Sequence, residues 1–169
     1  MKLVLGILIG LKFGVPLLIF WFPFQASWAN FVFDTIDGDI LLRLGLDFDL
    51  YQTIDKIADY ATYIVMLVVG LKWKVRKTIL ALFAVRTVGQ ALFFATGNET
   101  IFFFFPNFLE PFFMAYSFLM WKFKAEGHER YLRHRFLIWG VIVPYKMWNE
   151  WNTHIANIEL SDVFFNLPG

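Results

Sequence analysis

The chain has 169 residues, of which 59% are hydrophobic and 21% aromatic, with a mean hydropathy of +0.57. A soluble domain of this length cannot bury that much apolar surface, which excludes that class in favour of an integral membrane protein. A net charge of +1 gives no basic footprint for nucleic acid, and the lack of cysteine excludes disulfides, thiolate metal sites and a cysteine nucleophile.

About 20 apolar helical residues cross a hydrocarbon core of about 30 Å. The first such run extends from Leu3 to Phe22. No small-residue cleavage site follows it, so it reads as a retained span, not a signal peptide. The next segment, Phe24 to Arg43, reads FQASWANFVFDTIDGDILLR, apolar at first and then acidic. Pro23 is well suited to open a helix there, because the missing N–H costs nothing in the first turn. The segment is either a further helix whose inner half lines a polar cavity, or the continuation of one long helix kinked at Pro16 and Pro23. Apolar runs then follow at Thr53 to Leu71, Thr78 to Thr96 and Ile101 to Trp121, with a shorter one from Phe136 to Trp151. The expected fold is a single all-α transmembrane domain over residues 1–169, a bundle of six helices, or five if the acidic segment does not cross.

Charge separates the connections. Lys72, Lys74, Arg76 and Lys77 crowd one, and Lys122, Lys124, Arg130, Arg133 and Arg135 crowd another. Both lie on one side if the third and fourth runs form a hairpin turning at Gly97-Asn98-Glu99-Thr100. The positive-inside rule makes that side cytoplasmic and leaves the acidic stretch on the opposite face. The expectation is a multi-pass protein of the cell membrane, with the lipid bilayer as its first partner.

Seven of the eight aspartates fall between Asp34 and Asp59; only Arg43 and Lys56 oppose them, leaving a net charge of −5 in that window. Asp34 and Asp37 share one helical face, and Asp55 and Asp59 share another. Two such faces brought together put four carboxylates around one point, where they repel unless a cation sits among them. Hard oxygen ligands favour Mg²⁺, Mn²⁺ or Ca²⁺ over zinc. Asp39, Asp47 and Asp49 fit a solvated loop, a reading that extends to any acidic run. Asp59 resists it, because the helix continues IADYATYIVMLVVG and an unpaired carboxylate there is expensive.

These intervals resemble the signature of the CDP-alcohol phosphatidyltransferases, D-x-x-D-G-x-x-A-R, eight residues, then G-x-x-x-D-x-x-x-D. Asp34, Asp37, Gly38, Asp55 and Asp59 keep every interval. Leu41 and Leu42 replace the Ala-Arg pair, Arg43 comes one position late, and Tyr51 stands at the second glycine. The metal half of the motif is intact and the nucleotide half is altered. The resemblance implies transfer of a substituted phosphate from a CDP-linked donor to an alcohol acceptor with release of CMP, as in phospholipid synthesis. It implies Asp34, Asp37 and Asp55 as ligands of Mg²⁺ or Mn²⁺, Asp59 as ligand or general base, and Gly38 as the point where the nucleotide nears the backbone. A homodimer is in keeping with the family.

Further charges lie in later runs. Arg86 and Glu110 sit at matching depths, about 14–15 Å from the expected hairpin turn. They read either as an ion pair or, for Arg86, as a ligand for the donor phosphate or an anionic acceptor. Asp59 is placed about 10 Å deep, so the three would share a cavity. Lys146 reads as snorkelling to an interface. His128, His134 and His154 read as surface residues. Two other functions fit the same residues: a non-catalytic membrane relative with a structural or partner-binding role, and a small cation-coupled transporter.

Overall fold

A computed structural model describes residues 2–156. The chain is helical, with no strand among the described residues. It divides into two compact units, Met1–Val69 and Gly70–Gly169.

The first unit begins with α1 (Lys2–Leu17), which tightens into a 3-10 turn at Leu18–Phe20 before α2 (Pro23–Arg43). Pro23 opens α2, as its ring geometry favours. A single long kinked helix does not form. The residue before a proline is pushed out of the helical region, and Phe22 duly adopts φ −129°, ψ 67°. The chain reverses there, and α1 packs on α2. After a turn through Gly45, α3 (Phe48–Gly70) follows. Asp47 caps it, its Oδ1 accepting the Leu50 N–H at 3.1 Å. Asp47 and Asp49 are exposed, as a solvated connection requires, whereas Asp39 lies within α2 and is half-buried. Because α3 starts before the apolar run does, Asp59 lies about three turns inside it.

The second unit holds α4 (Arg76–Thr96), the single turn α5 (Ile101–Phe104), α6 (Leu109–Phe123) and α7 (Gly127–His154). The expected turn after α4 is present, with Gly97 at φ 67°. The fourth apolar run is broken, however. Phe105 precedes Pro106 and adopts φ −123°, ψ 62°, so the helix stops and restarts at Leu109. Glu110 is therefore in the first turn of α6, not in the middle of a span. Its carboxylate suits the positive end of the helix dipole, and its N–H donates to Asn107 Oδ1 at 3.3 Å. Aromatic pairs fill the core between α6 and α7: Phe112 stacks on Trp139 with centroids 5.2 Å apart, and Tyr116 meets Tyr131 edge-on at 5.5 Å. Trp73 packs against Phe113 at 4.6 Å.

Among the described residues, two segments are long and apolar enough to cross a membrane: Leu3–Phe20, with mean hydropathy 2.4, and Arg76–Thr96, at 1.7. The other expected spans lack that signature for local reasons. The aspartates lower the hydropathy of α2 and α3, α6 has 15 residues, and α7 carries charges at both ends.

Candidate functional site

The two aspartate pairs do converge within the first unit. One carboxylate oxygen from each of Asp34, Asp55 and Asp59 lies within 4.8 Å of the others. The three-residue and four-residue spacings turn both pairs inward from α2 and α3. Asp37 and Asp55 are buried, and Asp34 and Asp59 are half-buried.

A residue that no motif pointed to completes the cluster. Lys12, from α1, is 3% exposed. Its ammonium reaches Asp34 Oδ1 at 3.0 Å, Asp55 Oδ1 at 2.6 Å and the carboxylate of Asp37. Lys56 holds the other oxygen of Asp55, Oδ2, at 2.9 Å. Asp59 makes no ion pair with Lys12 but lies within its field. Four carboxylates thus face two ammonium groups, an excess of two negative charges. The only signal for Lys12 in the sequence is a lone cation within the first apolar run; an ionisable residue there normally has a partner.

Oxygens on opposite sides of Mg²⁺ lie about 4.2 Å apart, and of Ca²⁺ about 4.8 Å. Only one pair of three ligands can be trans, and cis oxygens about Mg²⁺ lie about 3.0 Å apart, so the Asp34–Asp55–Asp59 group would have to close inward to hold a hard divalent cation. The excess charge of the cluster matches such an ion. Asp37 faces Lys12 and lies 3.5 Å from the Tyr51 hydroxyl. The three carboxylates brought to one point are thus those of Asp34, Asp55 and Asp59.

Gly38 is close-packed for a reason internal to the protein. A Cβ there would sit 2.6 Å from the Tyr51 hydroxyl oxygen and 3.1 Å from the ring carbon bearing it. Tyr51 fills the space over Gly38, and its ring lies 5.5 Å from Lys12 Nζ. Gly38→Ala is expected to destabilise the protein by about 1–3 kcal/mol, the usual cost of overpacking. Tyr51→Phe removes the nearest atom and should recover most of that loss in the double variant, read as thermal unfolding in one detergent. Equal stability of Gly38→Ala and the wild type would contradict this packing.

Arg86 belongs to a buried set within the second unit. Its Nη1 donates to the Phe105 carbonyl at 3.2 Å, and its guanidinium lies 4.2 Å from the centre of the Phe102 ring. It also acts electrostatically on Glu150, which is 2% exposed. Glu150 Oε1 lies 3.2 Å from Lys146 Nζ and accepts the Asn107 N–H at 3.0 Å, while Oε2 lies 3.1 Å from His154 Nε2. Lys146 thus points to a buried carboxylate, although snorkelling was expected. His154 is buried against Phe102, with centroids 5.2 Å apart, so the surface expectation fails for it. His134 is exposed, and His128 meets the Tyr116 hydroxyl at 3.1 Å. The signal for this set was the spacing of Lys146, Glu150 and His154, four residues apart on one face of α7. Compared with protein-family models, with curated proteins and with solved structures, the chain matches none.

Proposed function

We propose that the protein is a multi-pass membrane transferase of the CDP-alcohol type, dependent on Mg²⁺ or Mn²⁺. The observation that carries this reading is the convergence of Asp34, Asp55 and Asp59 to within 4.8 Å at the motif's intervals. Many large apolar side chains, such as Leu3, Ile7, Phe104, Phe136 and Leu137, are exposed on the helices. Patches of that kind call for lipid, which supports six spans formed by α1 to α4, α6 and α7.

In this reading Asp34, Asp55 and Asp59 offer one oxygen each to the ion. The ion supplies charge neutralisation at the donor pyrophosphate. Asp59, which forms no ion pair with Lys12, takes the proton of the acceptor hydroxyl. The acceptor oxygen bonds to the phosphorus that carries the donor alcohol, the pyrophosphate bridge breaks, and CMP leaves with the bridging electrons. Tyr51 over Gly38 narrows the side on which a nucleotide would approach.

CMP release from a panel of CDP-alcohols with Mn²⁺ and detergent-solubilised protein is the test. Asp59→Asn is expected to lower the rate by about 10²–10⁴-fold, the range for loss of a general base, with unchanged helicity. Full turnover in that variant would end the proposal.

Lys12 and Tyr51 favour a second reading. An ammonium bonded to three of the four aspartates, with a phenol over Gly38, suits a non-catalytic membrane protein in which lysine has taken the place of the metal. No CMP release from any donor, and no Mn²⁺ binding, is the outcome this reading expects.

A further inference from the structure

We infer that Lys12 is the resident cation of the aspartate cluster and exchanges with the divalent ion, Asp37 serving as the holding carboxylate for the displaced ammonium. The inference rests on the metal reading of this site. Two of the three carboxylates in the close group, Asp34 and Asp55, are bonded to Lys12. Both oxygens of Asp55 are engaged, Oδ1 by Lys12 and Oδ2 by Lys56. A divalent ion seated on Asp34, Asp55 and Asp59 meets an ammonium already bound to two of its ligands. The two cations repel strongly in a site of low dielectric, so one of them must move.

Lys12 is the one built to move. Its charge sits on a flexible four-carbon stem, unlike a fixed guanidinium fork. A destination is already in contact with it. Asp37 is bonded to Lys12 but lies outside the close group of three, and the Tyr51 ring lies 5.5 Å from Nζ, a cation–π distance. The four aspartates therefore divide into three for the ion and one for the lysine. Without the ion, Lys12 holds α1, α2 and α3 together at this point; with it, the ion holds α2 to α3 and Lys12 stays on α2.

Mn²⁺ binding to the purified full chain, read by electron paramagnetic resonance without donor or acceptor, tests the exchange. Lys12→Met is expected to bind Mn²⁺ about tenfold more tightly or better than the wild type, because the competing charge is gone. Its melting temperature should also rise more on adding Mn²⁺. Lys12→Met/Asp37→Asn should bind Mn²⁺ more tightly than Lys12→Met/Asp34→Asn, because each loses one negative charge and only the second loses an ion ligand. Equal binding in the two double variants would make Asp37 an ion ligand and overturn the division. Mn²⁺ binding that is equal in the wild type and Lys12→Met would overturn the exchange while leaving the metal site standing. No binding in either would overturn both. Should Lys12→Met not fold, Lys12→Gln reads the same comparison, because it removes the charge and keeps a donor for the carboxylates.

Discussion

Asp55→Asn is expected to weaken Mn²⁺ binding by about 100-fold or more, beyond the 10–100-fold typical of changes outside the ligand shell, and to destabilise the fold as well. Asp55 is the carboxylate that both lysines share, and it belongs to the close group proposed to hold the ion. Its Oδ1 receives Lys12 at 2.6 Å, its Oδ2 receives Lys56 at 2.9 Å, and it is a member of the close group with Asp34 and Asp59. Asparagine replaces one oxygen with an NH₂ that points a donor at an ammonium. Removing one partner of a buried ion pair costs about 3–5 kcal/mol, because the remaining charge stays buried. Asp59→Asn breaks no ion pair with either lysine, both of which reach Asp59 only through their field, so it should lose turnover with a smaller loss of stability. The contrast separates a ligand that also holds the fold from one that does not. In Asp55→Asn/Lys12→Met the ammonium facing the new amide is gone, but Asp34 and Asp37 lose their shared partner, so neither stability nor Mn²⁺ binding should recover. Thermal unfolding and Mn²⁺ titration of the three variants check this, and equal stability of Asp55→Asn and the wild type would contradict the ion-pair geometry.

The site was legible in the sequence as far as periodicity carries it. Intervals of three and four residues put Asp34 and Asp37, then Asp55 and Asp59, on single helical faces, and those faces converge. Pro23 marked the start of α2 because a proline ring acts locally, whatever the rest of the fold does. Lys12 was not legible. One cation in an apolar run says that a partner exists, but the partners are 22 to 43 residues away on other helices. Nor was the division of labour between Asp37 and its neighbours, since a spacing fixes the face of a helix but not which oxygen meets which cation. Pro106 was hidden by its surroundings: FFFFPNF averages as strongly apolar, although a proline stops the helix regardless of hydropathy. That misreading moved Glu110 to mid-helix and obscured Glu150, the carboxylate that does lie buried in the second unit.

Glu150→Leu should be the most damaging change in the second unit, by about 3–5 kcal/mol. Leucine fills a similar volume, so the loss is electrostatic and not one of packing. Glu150 accepts the buried Asn107 N–H at 3.0 Å and lies 3.2 Å from Lys146 and 3.1 Å from His154, within the field of Arg86. Its removal leaves the Asn107 N–H, Lys146 and His154 without their shared acceptor. The Asn107 bond matters most for the fold, because it ties α7 to the segment between α5 and α6 that Pro106 keeps out of helix. Glu150→Gln keeps an oxygen for Asn107 and loses only the charge, so its cost should be smaller, about 1–3 kcal/mol. The exposed pair Glu126–Arg130, at 3.3 Å, is the control: Glu126→Gln should shift stability by less than about 0.5 kcal/mol. Unfolding of all three variants in one detergent reads the series. If Glu150→Leu were as stable as Glu126→Gln, the buried set around Arg86 would not be what holds α7 in place. The order leucine, glutamine, control instead identifies one carboxylate as the tie between α7 and the break in the preceding helix.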